Sequence, residues 1–304
     1  MKKKSCRASC GRGARSEHWQ AFAVVAMMAA IWAAGVCDVS RGAELQDATA
    51  AAFDAYVRKS EARMDAELNA GGDFLWIDGS PWEERSAAFE RLRAGQPVVE
   101  NAKGKGAGGG VAVTGGLIHD WRGVVFVPGI TVAETIALLE DYDHDDTYYW
   151  PDVVRSRLMR RDGETFHVYL RLKRKYAVTA AFDTEYDIRY TTVNSTRAYS
   201  RSRSTRIEEV ENEGQADERP AASGNDHGFL WRLNSYWRFE QRDGGVFIEC
   251  QAISLTRDVP QGLGWVVKPL VEEIPRESLR FTLEATQVAL LKKYGLAAKK
   301  RQSG

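Results

Sequence analysis

The sequence predicts an α+β protein, in which a curved antiparallel sheet wraps around one long C-terminal helix and extra helices precede the sheet. Two observations carry this expectation. From Trp121 to Leu291 the apolar periodicities read strand–helix–five strands–helix, and the helical pieces sit near the two ends of the train. Strands that follow one another without crossover helices pair antiparallel, and the apolar face they share needs a cover that the final helix can supply.

Composition agrees with a folded domain. Of 304 residues, 44% are hydrophobic and 28% charged, a core-forming balance. The formal charge is zero but unevenly spread: residues 1–43 hold seven Lys/Arg against two Asp/Glu, which leaves about −5 for the rest. A chain of that balance lacks the basic surface that neutralises phosphates, so nucleic acid is not an expected partner.

The start of the chain reads as a targeting segment. Lys2, Lys3, Lys4, Arg7, Arg12 and Arg15 are followed by Ala21–Cys37, seventeen residues without a charge. This is the layout of a secretory signal, and it is also just long enough for a retained membrane anchor. Export to the periplasm or the exterior is expected, or anchoring by residues 21–37, with any cleavage near Gly35, Gly42 or Ala43. Of four cysteines, Cys6, Cys10 and Cys37 lie in or beside this segment, which leaves Cys250 as a small buried hydrophobe.

Residues 44–100 read as a helical extension. The first helix spans 44–70, with Phe53, Val57, Ser60, Met64 and Leu68 near one face, and Gly71-Gly72 ends it. Ser80-Pro81-Trp82-Glu83 announces a second helix, with Ser80 as cap and Glu83 completing a capping box. Residues 101–116 form a glycine-rich linker or hairpin. Gly104, Gly106 and Gly109 match a dinucleotide fingerprint in spacing only, because no strand precedes them and no helix follows.

The main domain spans 117–293. Its first strand, through Trp121-Arg122-Gly123, ends at Pro128-Gly129, and Thr131 caps a helix carrying Val132, Ile136, Leu139 and Tyr142. Phe166, Val168, Leu170 and Leu172 alternate with polar residues, as do Tyr186, Ile188 and Tyr190. Residues 197–210 continue the sheet, 211–227 read as a polar hairpin tip without fixed structure, and Trp231, Leu233, Trp237 and Phe239 mark the next strand. Asp243-Gly244-Gly245 turns the chain into Val246–Thr256.

A short apolar piece, 263–274, then precedes a helix from Pro275 to about Lys293, and 294–304 form a basic tail. Leu279, Leu283, Thr286 and Leu290 make one stripe of that helix, with Phe281, Ala285 and Val288 nearly opposite. A helix apolar on two sides needs two covers, and the helices before residue 95 are the expected second one.

This order of elements, with the Trp121-Arg122-Gly123 strand, the helix through Tyr142, Tyr149-Trp150-Pro151 entering the sheet and the helix from Pro275, resembles the START/Bet v 1-like superfamily, the helix-grip (SRPBCC) fold. The resemblance covers about Leu117 to Leu291 and includes no catalytic signature. It implies a cavity between sheet and C-terminal helix that holds an apolar or amphipathic molecule: a lipid, sterol, quinone or polyketide-like compound. It also implies a second reading, a cyclase or dehydratase using the same cavity, and beside it stands a third, an envelope interaction module with a filled core. Transient membrane contact suits a lipid carrier.

The cavity candidates are Tyr149, Trp150, Tyr186, Tyr190, Trp231, Trp237, Phe239, Trp265 and Leu283. The strand 197–209 is ambiguous. If Tyr199, Arg201, Arg203, Thr205 and Ile207 face inward, two arginines enter the cavity, with Glu249 as a partner. If Ala198, Ser200, Ser202 and Ser204 do, small side chains leave room and the arginines stay outside, the cheaper choice electrostatically. The acidic run Asp141, Asp143, Asp145 and Asp146 lacks the glycine and terminal glutamate of a calcium loop and reads as a solvated helix end. Five scattered histidines show no ligand spacing, so neither metal nor cofactor is expected, and no nucleophile elbow or phosphate loop is present.

Overall fold

A computed structural model describes residues 44–69, 71–104, 110–175, 179–222, 226–258 and 264–302, with side chains of the last helix described from 273 to 295. The expected signal or anchor lies outside the described residues, as do Gly106 and Gly109. Two helices come first, α1 (Asp47–Asn69) and α2 (Trp82–Arg93). Three strands follow, β1 (Val98–Asn101), β2 (Val111–Val113) and β3 (Gly116–Pro128). Helix α3 (Val132–Leu139), a single 3-10 turn (Tyr142–His144) and the one-turn α4 (Asp145–Tyr148) lead into the strand train. That train is β4 (Val153–Asp162), β5 (Thr165–Lys175), β6 (Thr179–Asn194), β7 (Arg197–Glu211), the two-residue β8 (Arg219–Pro220), β9 (Arg232–Arg242) and β10 (Gly245–Arg257). Helix α5 (Gly264–Gln302) closes the chain.

The strands form one antiparallel sheet in the order β1-β3-β10-β9-β7-β6-β5-β4, with β2 beside β3 and β8 beside β7. Helix α5 packs on one face through Leu279, Leu283 and Leu290, which join Val125, Ile248, Phe239 and Tyr190 in the largest core cluster. This is the helix-grip arrangement. Gly123 makes it possible on β3: a methyl group there would stand 2.7 Å from Leu283 Cδ1 and 3.2 Å from the Val98 carbonyl oxygen. Thr131 caps α3 as expected, accepting from Glu134 N at 3.2 Å while the Glu134 carboxylate accepts from Thr131 N at 3.0 Å. Asp243 and Gly244, both at positive φ, make the two-residue β9–β10 turn.

The extension does not cover α5 as expected. Helices α1 and α2 lie on the opposite face of the sheet. Phe53, Val57 and Met64 pack with Ile118, Tyr236, Ile253 and Leu255, while Leu75, Ile77 and Leu92 pack with Val124, Phe126 and Phe247. The physical reason is that β3 and β10 carry apolar residues on their outer face too, Ile118, Val124, Phe126, Phe247, Ile253 and Leu255, so the sheet itself needs two covers. The second stripe of α5 is covered only in part, with Phe281 and Ala285 half-buried and Val288 62% exposed.

Other boundaries moved for identifiable reasons. Strand β4 escaped detection because, as an edge strand, it is exposed along most of its length and carries Arg155, Arg157, Arg160 and Arg161. Ser80 makes no cap. Pro81 occupies the N-cap position of α2 without a side-chain hydrogen bond. Helix α5 begins at Gly264 and runs through Pro275, so 264–274 is part of that helix and 294–302 no separate tail. The polar hairpin after β7 is pinned back on the sheet, where Arg171 donates to Glu218 at 2.8 Å and Lys173 to Glu213 at 2.6 Å.

Candidate functional site

The grip face can be followed row by row, because residues paired across an antiparallel ladder project to the same side. One row contains Val125, Ile248, Phe239 and Ala198, all fully buried. The next contains Gly123, Cys250, Trp237, Ser200 and Tyr190. Then the character changes. Trp121, Ala252, Ser235, Ser202 and Ile188 form the third row, and His119, Ser254 and Leu233 lead toward Ser204 and Tyr186 in the fourth. In these last two rows Trp121, Ala252, Ser235, Leu233 and Ser204 are only half-buried, while Ser202, Ser254 and Tyr186 are buried. One end of the grip is thus almost fully buried. The other is less covered, with Ala252, Ser235, Ser202 and Ser204 at its centre and Trp121 and Tyr186 at its margins.

Two polar atoms on that floor lack hydrogen-bond partners among the described residues, Trp121 Nε1 and Tyr186 Oη. A polar neighbour of Tyr186, Thr184, stands outside hydrogen-bonding geometry and gives its own proton to the Leu170 carbonyl at 2.8 Å. Burial pushes the Tyr186 phenol up to about 12, so it stays a neutral donor. Trp237 Nε1 donates to Ser235 Oγ at 3.3 Å, and His119 Nε2 pairs with Thr256 Oγ1 at 3.1 Å.

The sequence candidates divide between the faces. Tyr149, Tyr186, Tyr190, Trp237, Phe239 and Leu283 come together on the grip side. Tyr190 and Tyr149 are already satisfied there. Tyr190 donates to the Leu139 carbonyl at 3.3 Å and pairs with Tyr142 at 2.8 Å, and Tyr149 pairs with Thr286 at 3.0 Å. Trp150 is 65% exposed and does not line the grip. The Trp265 side chain lies outside the described residues.

Tyr199, Arg201, Arg203, Glu249 and Trp231 belong to the other face, which corrects their place as cavity residues. Alternation along β7 puts Ala198, Ser200 and Ser202 toward α5, and the arginines therefore meet α1. Arg203 is held by Glu61 at 2.6 Å and Arg201 by Asp65. Glu249 accepts from Trp76 N at 2.8 Å and stands 3.9 Å from Arg238, not beside Arg201 or Arg203. Burial raises its carboxyl to about 7 despite the nearby Arg238. Trp231 packs with Phe53 and Met64 of α1.

The acidic run is also tied down. Asp141 accepts from Lys293 at 2.8 Å and Tyr148 at 2.7 Å, joining α4 to α5, and Asp143 accepts from Leu158 N at 2.8 Å. Asp145 is buried, and its carboxyl lies well above the usual range through desolvation and the neighbouring Asp141 and Asp146. On the outer face two surface hollows are lined by the extension. One of about 490 Å³ includes Trp82, Phe89 and Arg93, and one of about 450 Å³ includes Trp76, Arg122 and Arg238. Their arginines are spoken for: Arg93 by Asp243, Arg122 by Glu100 and Arg238 by Glu67.

Sequence reasoning did not single out Trp121, His119, Ser235 or Ser254 as floor residues. Strands β3 and β10, buried on both sides, show no alternation by which to sort them. The available signal was the small-residue set Ala198, Ser200, Ser202 and Ser204.

No family model matches this chain, and no curated protein matches it. Among solved structures it is similar to a STAR-related lipid transfer protein from Xanthomonas axonopodis, at 17% identity and a TM-score of 0.42, covering 59% of this chain and 96% of that one. It is also similar to the Zhui aromatase/cyclase from Streptomyces sp. R1128, at 11% and 0.40 over 58% and 95% of the two chains. A START superfamily protein from Mycobacterium smegmatis is similar at 9% and 0.38, over 57% and 98%. At these identities and scores the likenesses carry nothing about ligand or reaction. The helix-grip fold rests on the sheet order and the gripped helix.

Proposed function

We propose that this protein binds an apolar or amphipathic small molecule between the sheet and α5, at the end of the grip floored by Trp121, Ala252, Ser235, Ser202 and Tyr186. The observation that carries this reading is the change from nearly fully buried rows to rows in which Trp121, Ala252, Ser235, Leu233 and Ser204 are only half-buried, with small side chains at their centre. Small-molecule sites are concave, mainly apolar and furnished with a few polar groups, which describes this floor. A carrier is favoured over a cyclase because the tyrosine hydroxyls nearest α5 are committed to Leu139, Tyr142 and Thr286. These hydroxyls are engaged in packing between the sheet and its covering elements.

The ligand class proposed is lipid, sterol, quinone or polyketide-like. The protein is exported or anchored through its basic start and the Ala21–Cys37 run, and exposed Trp150 provides a ring for transient membrane contact. The test is mass spectrometry of extracts from natively purified protein, with tryptophan-fluorescence titrations of fatty acids, sterols and quinones. Co-purifying ligand or micromolar binding supports the reading. Failure of every class to bind at that level overturns it. N-terminal sequencing of the mature protein should find starts near residues 35–45 or, for an anchor, a membrane-bound intact chain; a soluble cytoplasmic protein retaining Met1 overturns export.

A further inference from the structure

We infer that the molecule held in the grip is neutral and presents acceptor oxygen, of the carbonyl or ether kind, to Trp121 Nε1 and Tyr186 Oη. This rests on the reading of the grip as a ligand site and adds to it the chemistry of the ligand's polar part. Both donors belong to the grip face, Trp121 on β3 and Tyr186 four strands away on β6, so they flank the small-residue floor from its two sides. Tyr186 is 5% exposed, and neither atom has a partner among the described residues. Buried N–H and O–H groups are rarely left unpaired, because each forfeits its hydrogen bonds to water without replacement. Two such donors on one floor ask for acceptors from the occupant.

The charge pattern decides what kind of acceptor. In the four rows around Ser200 and Ser202, the grip face of β3, β6, β7, β9 and β10 carries no Asp, Glu, Lys or Arg among the described residues. Pairing register sends those charges to the outer face, where Arg201, Arg203 and Arg238 are neutralised by Asp65, Glu61 and Glu67 of α1. The imidazole on the floor, His119, has its Nε2 engaged with Thr256. On the sheet side a carboxylate or phosphate would lose its hydration without gaining a counter-charge, and on α5 Arg276 and Arg280 are paired with Glu273 and Glu277, whereas neutral acceptor oxygens lose far less and match the donors.

The experiment uses three probes on one skeleton, 2-acetylnaphthalene, 2-ethylnaphthalene and 2-naphthoate, titrated calorimetrically into the mature protein and its Tyr186→Phe and Trp121→Phe variants. The ketone is expected to bind roughly tenfold tighter than the hydrocarbon, as one good hydrogen bond allows, with the anion weakest. Tyr186→Phe, which keeps the ring, should erase most of that advantage and leave hydrocarbon affinity within about twofold, since only the hydroxyl is removed. Hydrocarbon binding also shows that each variant is folded. Equal affinity for ketone and hydrocarbon, tightest binding by naphthoate, or an unchanged ratio in both variants overturns the inference while leaving a ligand site in place. No binding by any probe overturns the inference and counts against the site itself.

Discussion

At Gly123 the grip depends on the absence of a side chain. A Cβ would meet both a flexible Leu283 methyl and the rigid Val98 carbonyl, and only the first can move aside. Gly123→Ala is therefore expected to cost about 1–3 kcal/mol as an overpacking change, read from urea denaturation. Leu283→Ala leaves a cavity at a fully buried position, with an expected loss of about 2–5 kcal/mol in the same assay. Glu249 sets a pH dependence. Its carboxyl keeps a proton to about pH 7 in the folded protein but only to about 4.5 when unfolded. The native state then holds the extra proton between those values, so this group's contribution is full below pH 4.5 and is lost as pH rises to 7. Glu249→Gln removes the titration. The variant's stability relative to the parent is expected to rise by roughly 3 kcal/mol from pH 4 to pH 8, at 1.36 kcal/mol per pK unit. A flat difference across that range would show that Glu249 does not titrate there.

Helix α1 is held by its apolar stripe and, unequally, by what its carboxylates reach. Glu61 accepts from Arg203 and, at 2.9 Å, from the buried Tyr236 hydroxyl. Asp65 meets only a partly exposed Arg201 and is itself half exposed. Removing Glu61 strands a buried hydroxyl, whereas removing Asp65 releases a guanidinium to water. Glu61→Ala is expected to cost about 1–3 kcal/mol and Asp65→Ala about 0–1, and equal losses in thermal melts would contradict this ordering. The alternation along β7 that makes these pairs also keeps arginine out of the grip. Its two faces were visible in the sequence, but which faced the final helix was not.

The whole domain is a sheet covered on both sides, and this sets what can be removed. Without residues 44–95, the outer faces of Ile118, Val124, Phe126, Phe247, Ile253 and Leu255 would meet water as one apolar surface. A chain beginning at residue 96 is expected to aggregate, and a monomeric peak in size-exclusion chromatography would show that the extension is dispensable. The grip face needs no such partner beyond α5 at its buried end.

Much of this architecture was already in the order of residues. Short-range periodicity and turn chemistry determined the strand train, the Thr131 cap, the Asp243-Gly244 turn and the presence of a closing helix, because those depend on neighbours within a few residues. The highly exposed edge strand β4 and the continuation of α5 through Pro275 were hidden, since the first has no apolar face to alternate and the second carries a residue that ordinarily marks a start. Tertiary structure alone decided which side of each strand meets which helix. Glu249 and Arg203 moved to the outer face, and Trp121 and Ser254 to the grip, because the doubly buried strands β3 and β10 lack a pattern to sort their sides. Only pairing across the sheet, anchored by Leu283 on Gly123, assigns them.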